Sequence, residues 1–213
     1  MIVKAGIIGS GIGLKHLEAI HNFKKNKVKI IIEKDKKKLT YLKKKFPDIL
    51  VSSNEDLMFN DNEINLVAIA SYDNYHYKHI LKSIKTNKNF IIGKPMCLKM
   101  QKLKKIKSIL KKKKNIKMFS NFVLRKNSLF QKFKNMIDAN KIYYIEGDYM
   151  WGRKFKLFEW RAKVKNYTGT LGAAIHIFDL LFWILNKKPI FVTAFGNNIA
   201  TSKSNFKKDS FLI

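Results

Sequence analysis

Three closely spaced glycines, Gly9-Ser10-Gly11-Ile12-Gly13, stand between an apolar run, Ile2-Val3-Lys4-Ala5-Gly6-Ile7-Ile8, and a helical pattern that begins Leu14-Lys15-His16-Leu17. A buried strand that turns sharply into a helix leaves backbone N–H groups pointing outward, and the positive end of the helix dipole reinforces them. Such a corner holds a phosphate or pyrophosphate. Gly9 permits the tight turn, and Gly11 lets a phosphate reach the backbone with no Cβ in the way. In a G-x-G-x-x-G pattern the sixth position would be Leu14, whereas the chain supplies its third glycine at Gly13. The strand before, the helix after and the N-terminal position favour a dinucleotide cradle made by Gly9, Gly11, Ile12 and Gly13 over a merely tight strand–helix turn.

Other residues fall where chemistry would need them. Glu33 ends the second apolar run, where a carboxylate accepts hydrogen bonds from both ribose hydroxyls of an adenosine and repels a 2′-phosphate. Lys34 beside it tempers that preference, so NAD is favoured over NADP modestly; the alternative is a surface glutamate in a charged run. The turn Ala70-Ser71-Tyr72-Asp73-Asn74-Tyr75-His76 follows the fourth apolar run. In an open parallel sheet ligands sit at that edge, so Ser71 and His76 are candidates to line a cofactor, His76 equally as a structural residue. His76 and His79 are three apart, but no cysteine or carboxylate cluster accompanies them and no metal site is expected. Gly93-Lys94-Pro95 follows the fifth run, and a lysine there can present its ammonium to a substrate oxygen while hydride moves at the adjacent carbon. His176 and Asp179 share a face of an apolar helix. His176 is either a satisfied core residue or a base that takes a proton from a substrate hydroxyl.

These residues must be positioned by alternating elements. Strand patterns at Val28–Ile32, Ile49–Val51, Leu66–Ala70, Phe90–Ile92 and Ile116–Phe119 are separated by helical patterns at Lys36–Phe46, Tyr75–Thr86 and Lys99–Lys111. Strands separated by helices imply crossovers and a parallel sheet, so residues 1–120 form a doubly wound α/β domain. Residues 121–213 differ in texture. A helix is expected over Ser128–Ala139, an alternating strand over Ile142–Met150, an irregular aromatic and basic loop over Trp151–Thr170, a helix over Leu171–Leu185, a strand over Ile190–Phe195 and the opening of another at Asp209–Ile213. A second domain with so few strands would leave an unpaired sheet edge, and it is expected to be incomplete.

Bulk composition limits the remaining classes. The 213 residues carry 44 lysines and arginines against 15 acidic residues, a formal charge of +29, yet only Arg125, Arg153 and Arg161 are arginines. Specific nucleic-acid readers lean on arginine and concentrate charge on one face. Lysine scattered through every helix predicts salt-sensitive, nonspecific attraction to polyanions and no specific nucleic-acid partner. The single cysteine, Cys97, excludes an internal disulfide and fits a reducing cytoplasm. The N-terminal apolar run is broken by Lys4 and has no leader pattern, and the apolar stretch Leu171–Leu185 is too short and too polar for a bilayer. A soluble, cytoplasmic protein with no membrane partner is expected.

Taken together, the glycine turn with a nearby histidine, the acidic end of the second strand, Gly93-Lys94-Pro95 and Leu171-Gly172-Ala173-Ala174-Ile175-His176-Ile177-Phe178-Asp179 resemble the Gfo/Idh/MocA oxidoreductases, relatives of glucose–fructose oxidoreductase and inositol dehydrogenase. Asn121-Phe122-Val123-Leu124-Arg125 and the Trp160-Arg161 pair are also similar to that family's second domain. The likeness covers essentially the whole chain. It implies a Rossmann domain followed by an α/β domain on a mainly antiparallel sheet, with NAD(P)-dependent oxidation or reduction of a sugar, cyclitol or nucleotide-sugar. It further implies Lys94 as active-site lysine, His176 as substrate-side histidine, and Arg125, Trp160, Arg161 and Asp179 as substrate-binding residues. Homo-oligomers are implied for full-length members. The chain departs from the family in having Gly93 where a glutamate is usual and Gly172 where many members carry an aspartate. Members are commonly much longer, so a C-terminally truncated copy, or a dinucleotide-binding remnant without turnover, are the expectations that follow.

Overall fold

The computed structural model describes residues 2–165, 167–202 and 210–212. The chain divides into two compact units, Met1–Asn121 and Phe122–Ile213.

In the first unit six strands alternate with five helices: β1 (Lys4–Ile8), α1 (Gly13–His21), β2 (Lys27–Ile32), α2 (Lys36–Lys45), β3 (Leu50–Ser52), α3 (Asp56–Phe59), β4 (Leu66–Ile69), α4 (His76–Lys85), β5 (Asn89–Ile92), α5 (Met100–Lys112) and β6 (Met118–Ser120). All five strand pairings are parallel and the strands lie in the order β3-β2-β1-β4-β5-β6. The chain therefore steps outward from β1 to one side and resumes at β4 on the other. A crevice opens where β1 and β4 part company, the point at which doubly wound sheets bind ligands.

The apolar runs are continuous because both sheet faces are covered. Neighbouring isoleucines divide between them. Ile7 and Ile31 pack with Ala5, Leu17, Val28 and Leu42 on one face, while Ile8, Ile30 and Ile32 pack with Met58, Ile80, Phe90 and Ile106 on the other. Each such side chain withdrawn from water contributes on the order of 2 kcal/mol before entropy is counted. The lysine-rich helices lay down narrow contacts: Leu42 is the buried residue of α2 and Ile106 that of α5. Their lysines are solvated faces.

The second unit contains a 3-10 turn at Val123–Lys126, α6 (Ser128–Met136), further 3-10 turns at Lys154–Leu157 and Trp160–Lys163, a π-helical turn at Thr170–Ala174, α7 (Ile175–Leu185), and an antiparallel pair, β7 (Phe195–Asn197) with β8 (Ser210–Leu212). Two strand expectations need correction. Residues 142–150 alternate in sequence but form no strand, and among the described residues no strand pairs with them. Alternation supplies a face but not a hydrogen-bonding neighbour, and without one the backbone turns to water. Tyr143 is fully exposed. The expected strand at Ile190–Phe195 is displaced to Phe195–Asn197, where Ser210–Leu212 supplies the partner; Asp209 and Ile213 lie outside the described residues. Among the described residues the antiparallel pairing of the second unit is the two-stranded ribbon of β7 and β8. The expected helix over Leu171–Leu185 opens as the π-helical turn before α7 begins. Among the described residues no helix is long and apolar enough to cross a membrane.

Candidate functional site

The turn from β1 into α1 is built by three glycines with three different jobs. Gly9 has φ = 93°, and a Cβ there would stand 2.4 Å from the Ala70 carbonyl oxygen at the end of β4. Both facts demand glycine. A Cβ on Gly11 would meet nothing within 4 Å, so the backbone there faces open space. A Cβ on Gly13 would lie 2.8 Å from Ile7 Cγ2, so α1 rests on β1 only because position 13 has no side chain. The third glycine of the dinucleotide pattern serves this helix–strand contact. Here it does so one residue early. Among the described residues no side chain caps the first turn of α1 and no acidic residue occupies it, which leaves the dipole end uncompensated by the helix itself.

A cavity of about 410 Å³ opens beside this turn, at the carboxyl ends of β1, β2 and β4. Gly9, Ser10 and Gly11 form one wall; Glu33, Lys34, Asp35 and Lys38 a second; Ser71, Tyr72, Tyr75, Lys78 and His79 a third. Ile12, half exposed, and Gly13, buried at the start of α1, stand outside it. Glu33 is tied to the glycine turn: its Oε2 accepts from the Ser10 N–H at 3.0 Å and from the Ser10 hydroxyl, and its Oε1 accepts from the Lys34 and Asp35 N–H groups at 2.8 and 3.0 Å. Burial alone would push this carboxyl upward, but these four donors hold it below the ordinary glutamate value. Glu33 is therefore an anion at neutral pH, at the end of β2 where the sequence locates it.

His76 braces the neighbouring strand ends. It is buried, with Nε2 2.9 Å from the Ser71 carbonyl oxygen and Nδ1 2.7 Å from that of Pro95. It joins the turn after β4 to the turn after β5 and does not reach the cavity wall. Gly93 lies against the same ring, where a Cβ would find His76 Cε1 at 3.4 Å. Lys94 is half-buried at the end of β5, outside the cavity, and its peptide bond to Pro95 is cis. Sequence reasoning singled out Ser71, which does line the cavity. Lys78 and the aromatic side chains Tyr72 and Tyr75 line it as well without being singled out by the sequence, and His79, in sequence a candidate for a metal ligand only, belongs to the same wall. The spacing of His76 and His79 on one helix face was the available signal for a second inward-facing imidazole.

In the second unit His176 is buried on α7, with the Tyr149 ring stacked at 6.0 Å and Phe122 edge-on at 6.2 Å. Tyr149 belongs to the segment misread as a strand. Asp179 takes Arg125 bidentately, Nη2 to Oδ1 at 2.5 Å and Nε to Oδ2 at 2.7 Å. That carboxylate raises the Arg125 pKa, and the pair ties α7 to the turn after Phe122. Trp160, Arg161 and Tyr167 form a separate cluster. The Arg161 guanidinium lies 4.3 Å from the Trp160 ring centre, and its Nε donates to the Tyr167 hydroxyl at 3.0 Å.

Residues 3–122 match the model of the oxidoreductase family's NAD-binding Rossmann fold, Gfo/Idh/MocA, and residues 134–213 match that of its C-terminal α/β domain. The Bacillus subtilis (strain 168) protein YteT is 28% identical over 182 residues, 78% of this chain and 41% of its own length. In fold, the chain is similar to myo-inositol 2-dehydrogenase from Lactobacillus plantarum (TM-score 0.81, 18% identity, 95% of this chain and 62% of that one). It is also similar to scyllo-inositol dehydrogenase from Lactobacillus casei, solved with NAD(H) and scyllo-inositol (TM-score 0.78, 22% identity, 95% and 62%). The chain thus spans less than two thirds of the length of these relatives. The first match runs from β1 through β6 and the second from within α6 onward, so the chain belongs to the Gfo/Idh/MocA oxidoreductase family.

Proposed function

We propose that this chain is an NAD(P)-dependent oxidoreductase acting on a sugar, cyclitol or nucleotide-sugar, with the dinucleotide held by the first unit. The observation that carries the reading is the cradle at Gly9–Gly13. A turn at Gly9 that other residues could make only under strain, open space at Gly11 and the uncapped start of α1 border a cavity with an anionic Glu33 on the wall next to the turn. These residues fit a pyrophosphate flanked by a ribose. Glu33 favours NAD modestly, by accepting from ribose hydroxyls and repelling a 2′-phosphate. The family match and the inositol dehydrogenase folds support the substrate class.

Bound NAD(P) supplies or accepts hydride at the nicotinamide. Lys94 polarises the substrate oxygen as a charged hydrogen-bond donor, and His176 carries the hydroxyl proton. Arg125, Trp160 and Arg161 contribute polar and aromatic surface for a hydroxylated ring, with Asp179 holding Arg125 in place. A second reading, nucleotide binding without turnover, is favoured by one observation: Tyr167 fills the space beside Gly172, leaving no room there for a carboxylate next to α7.

Titration of the purified chain with NADH and NADPH, followed by nicotinamide fluorescence, tests the first step; no binding of either overturns it. Turnover across a panel of inositols, sugars and nucleotide-sugars separates the two readings. A Lys94→Ala chain that binds normally and turns over at full rate removes the lysine from the reaction.

A further inference from the structure

From the third wall of the cavity inward, side chains from three separate elements form one hydrogen-bonded line. Glu55 lies just before α3, His79 on α4, and Ser71 in the turn after β4. Glu55 is 8% exposed, and its Oε2 lies 3.0 Å from His79 Nε2. On the other side of the ring, His79 Nδ1 lies 2.9 Å from Ser71 Oγ. The second carboxylate oxygen of Glu55 accepts from the ammonium groups of Lys78 and Lys82. The imidazole is 3% exposed and sits between Phe59 and Tyr75, whose rings are nearly parallel to it at 6.5 and 6.2 Å.

The chemistry of the groups sets the direction of each bond. With two lysines on Oε1, Glu55 is an anion, and a carboxylate only accepts. Burial would push this carboxyl up, but the lysines bring it down to about 2. His79 must then donate from Nε2. Burial pushes its own pKa down to about 4 against the pull of Glu55, so at neutral pH the ring has a single N–H. Nδ1 is therefore an acceptor, and the Ser71 hydroxyl has to point its proton at it. Only lone pairs of Ser71 Oγ remain for the cavity that this residue lines.

We propose that Glu55 and His79 are positioning residues that make Ser71 a one-way acceptor, which takes a hydroxyl or amide N–H of the bound nucleotide and disfavours an acceptor-only group such as a phosphate oxygen at that place. This rests on the nucleotide reading above. It goes beyond it by assigning a direction to one contact and a role to two buried residues, His79 in the wall and Glu55 behind it.

Long-range 1H–15N correlation on the ligand-free full chain at neutral pH reads the tautomer directly. The Nε2–H form of His79 is expected, and an Nδ1–H form overturns the proposal. In Glu55→Gln the carboxamide can donate as well as accept, so a population of the Nδ1–H form is expected. Loss of one neutral hydrogen bond is worth about a five-fold rise in Kd, and Ser71→Ala is expected to weaken NADH binding by that factor. Adding Glu55→Gln to Ser71→Ala should weaken it no further, because both act through one contact. If Ser71→Ala binds NADH like the parent chain, or the two losses add, the proposal is overturned while the nucleotide reading stands. If the parent chain binds no nucleotide, both fall. Should Glu55→Gln fail to fold, the parent tautomer and the Ser71→Ala titration still decide the matter.

Discussion

The Tyr167 hydroxyl oxygen lies 2.1 Å from the point that a Cβ on Gly172 would occupy, and two carbons of its ring lie within 2.8 Å of it. Tyr167 is buried, its hydroxyl is engaged by Arg161 and its ring meets Trp160 edge-on, so it has little freedom to withdraw. In an ordinary helical position glycine to alanine stabilises by up to about 1 kcal/mol. Here overpacking outweighs propensity, and Gly172→Ala is expected to cost roughly 1–3 kcal/mol. Chemical denaturation followed by near-UV circular dichroism measures it. Placed in a Tyr167→Ala background, the same substitution should become neutral or stabilising. A neutral effect in the parent chain would mean that the ring can move aside.

The glycine turn separates a folding requirement from a binding one. Gly9→Ala meets both a positive φ and the Ala70 carbonyl, so it should cost a few kcal/mol of stability, on the order of 2–4, and lower the unfolding midpoint markedly. Gly11→Ala meets nothing within 4 Å, and its stability should stay within about 0.5 kcal/mol of the parent. If the open space at Gly11 is where phosphate approaches, that harmless methyl group should nonetheless weaken NADH binding about ten-fold or more. Thermal unfolding and fluorescence titration on the same two variants give opposite rank orders if both jobs are as described.

Much of the first unit is legible in sequence because its information is local. A continuous apolar run bounded by Gly9, or by Glu33, states both a buried strand and where its carboxyl end lies. Repetition of run and helix then fixes a parallel sheet. The third glycine shows the limit of spacing rules: Gly13 meets Ile7 although the pattern would have it one residue later, because what matters is where α1 crosses β1. The line from Glu55 through His79 to Ser71 was not legible, since it joins three elements that are neighbours only after the sheet forms. Residues 142–150 failed for the converse reason. Their alternation is local, but a strand is a relation between two segments.

Glu33 tests how nucleotide choice is built. Its two oxygens already accept four hydrogen bonds, about as many as a carboxylate can take. A ribose diol must therefore displace the Ser10 hydroxyl, which confines the preference for NAD to a modest size. The charge still opposes a 2′-phosphate, while Lys34 and Lys38 on the same wall would attract one. Glu33→Gln should lower the ratio of NADPH to NADH dissociation constants about ten-fold, equivalent to about 1.4 kcal/mol. Parallel titrations with both nucleotides measure this, and an unchanged ratio would remove Glu33 from the choice.

The buried imidazole of His79 also predicts how stability responds to acid. Burial holds its pKa near 4 in the folded chain, against an ordinary value of 6.5. Between those pH values the unfolded chain carries a proton that the folded one does not, so unfolding is favoured by added protons and stability falls as pH drops through that window. The full loss is roughly 3 kcal/mol by about pH 4, because a tenfold change in proton affinity between the two states is worth about 1.4 kcal/mol. Glu55 acts lower down: held at about 2 against an ordinary 4.5, it contributes stability that disappears only as pH falls from 4.5 towards 2. His79→Gln should therefore flatten the dependence between pH 6.5 and 4 and leave the more acidic loss in place, since Lys78 and Lys82 still bind Glu55. Urea midpoints across that range measure both windows. An equal slope in parent and variant between pH 6.5 and 4 would show that His79 accepts a proton where it stands, which the surrounding Phe59, Tyr75 and buried contacts make costly.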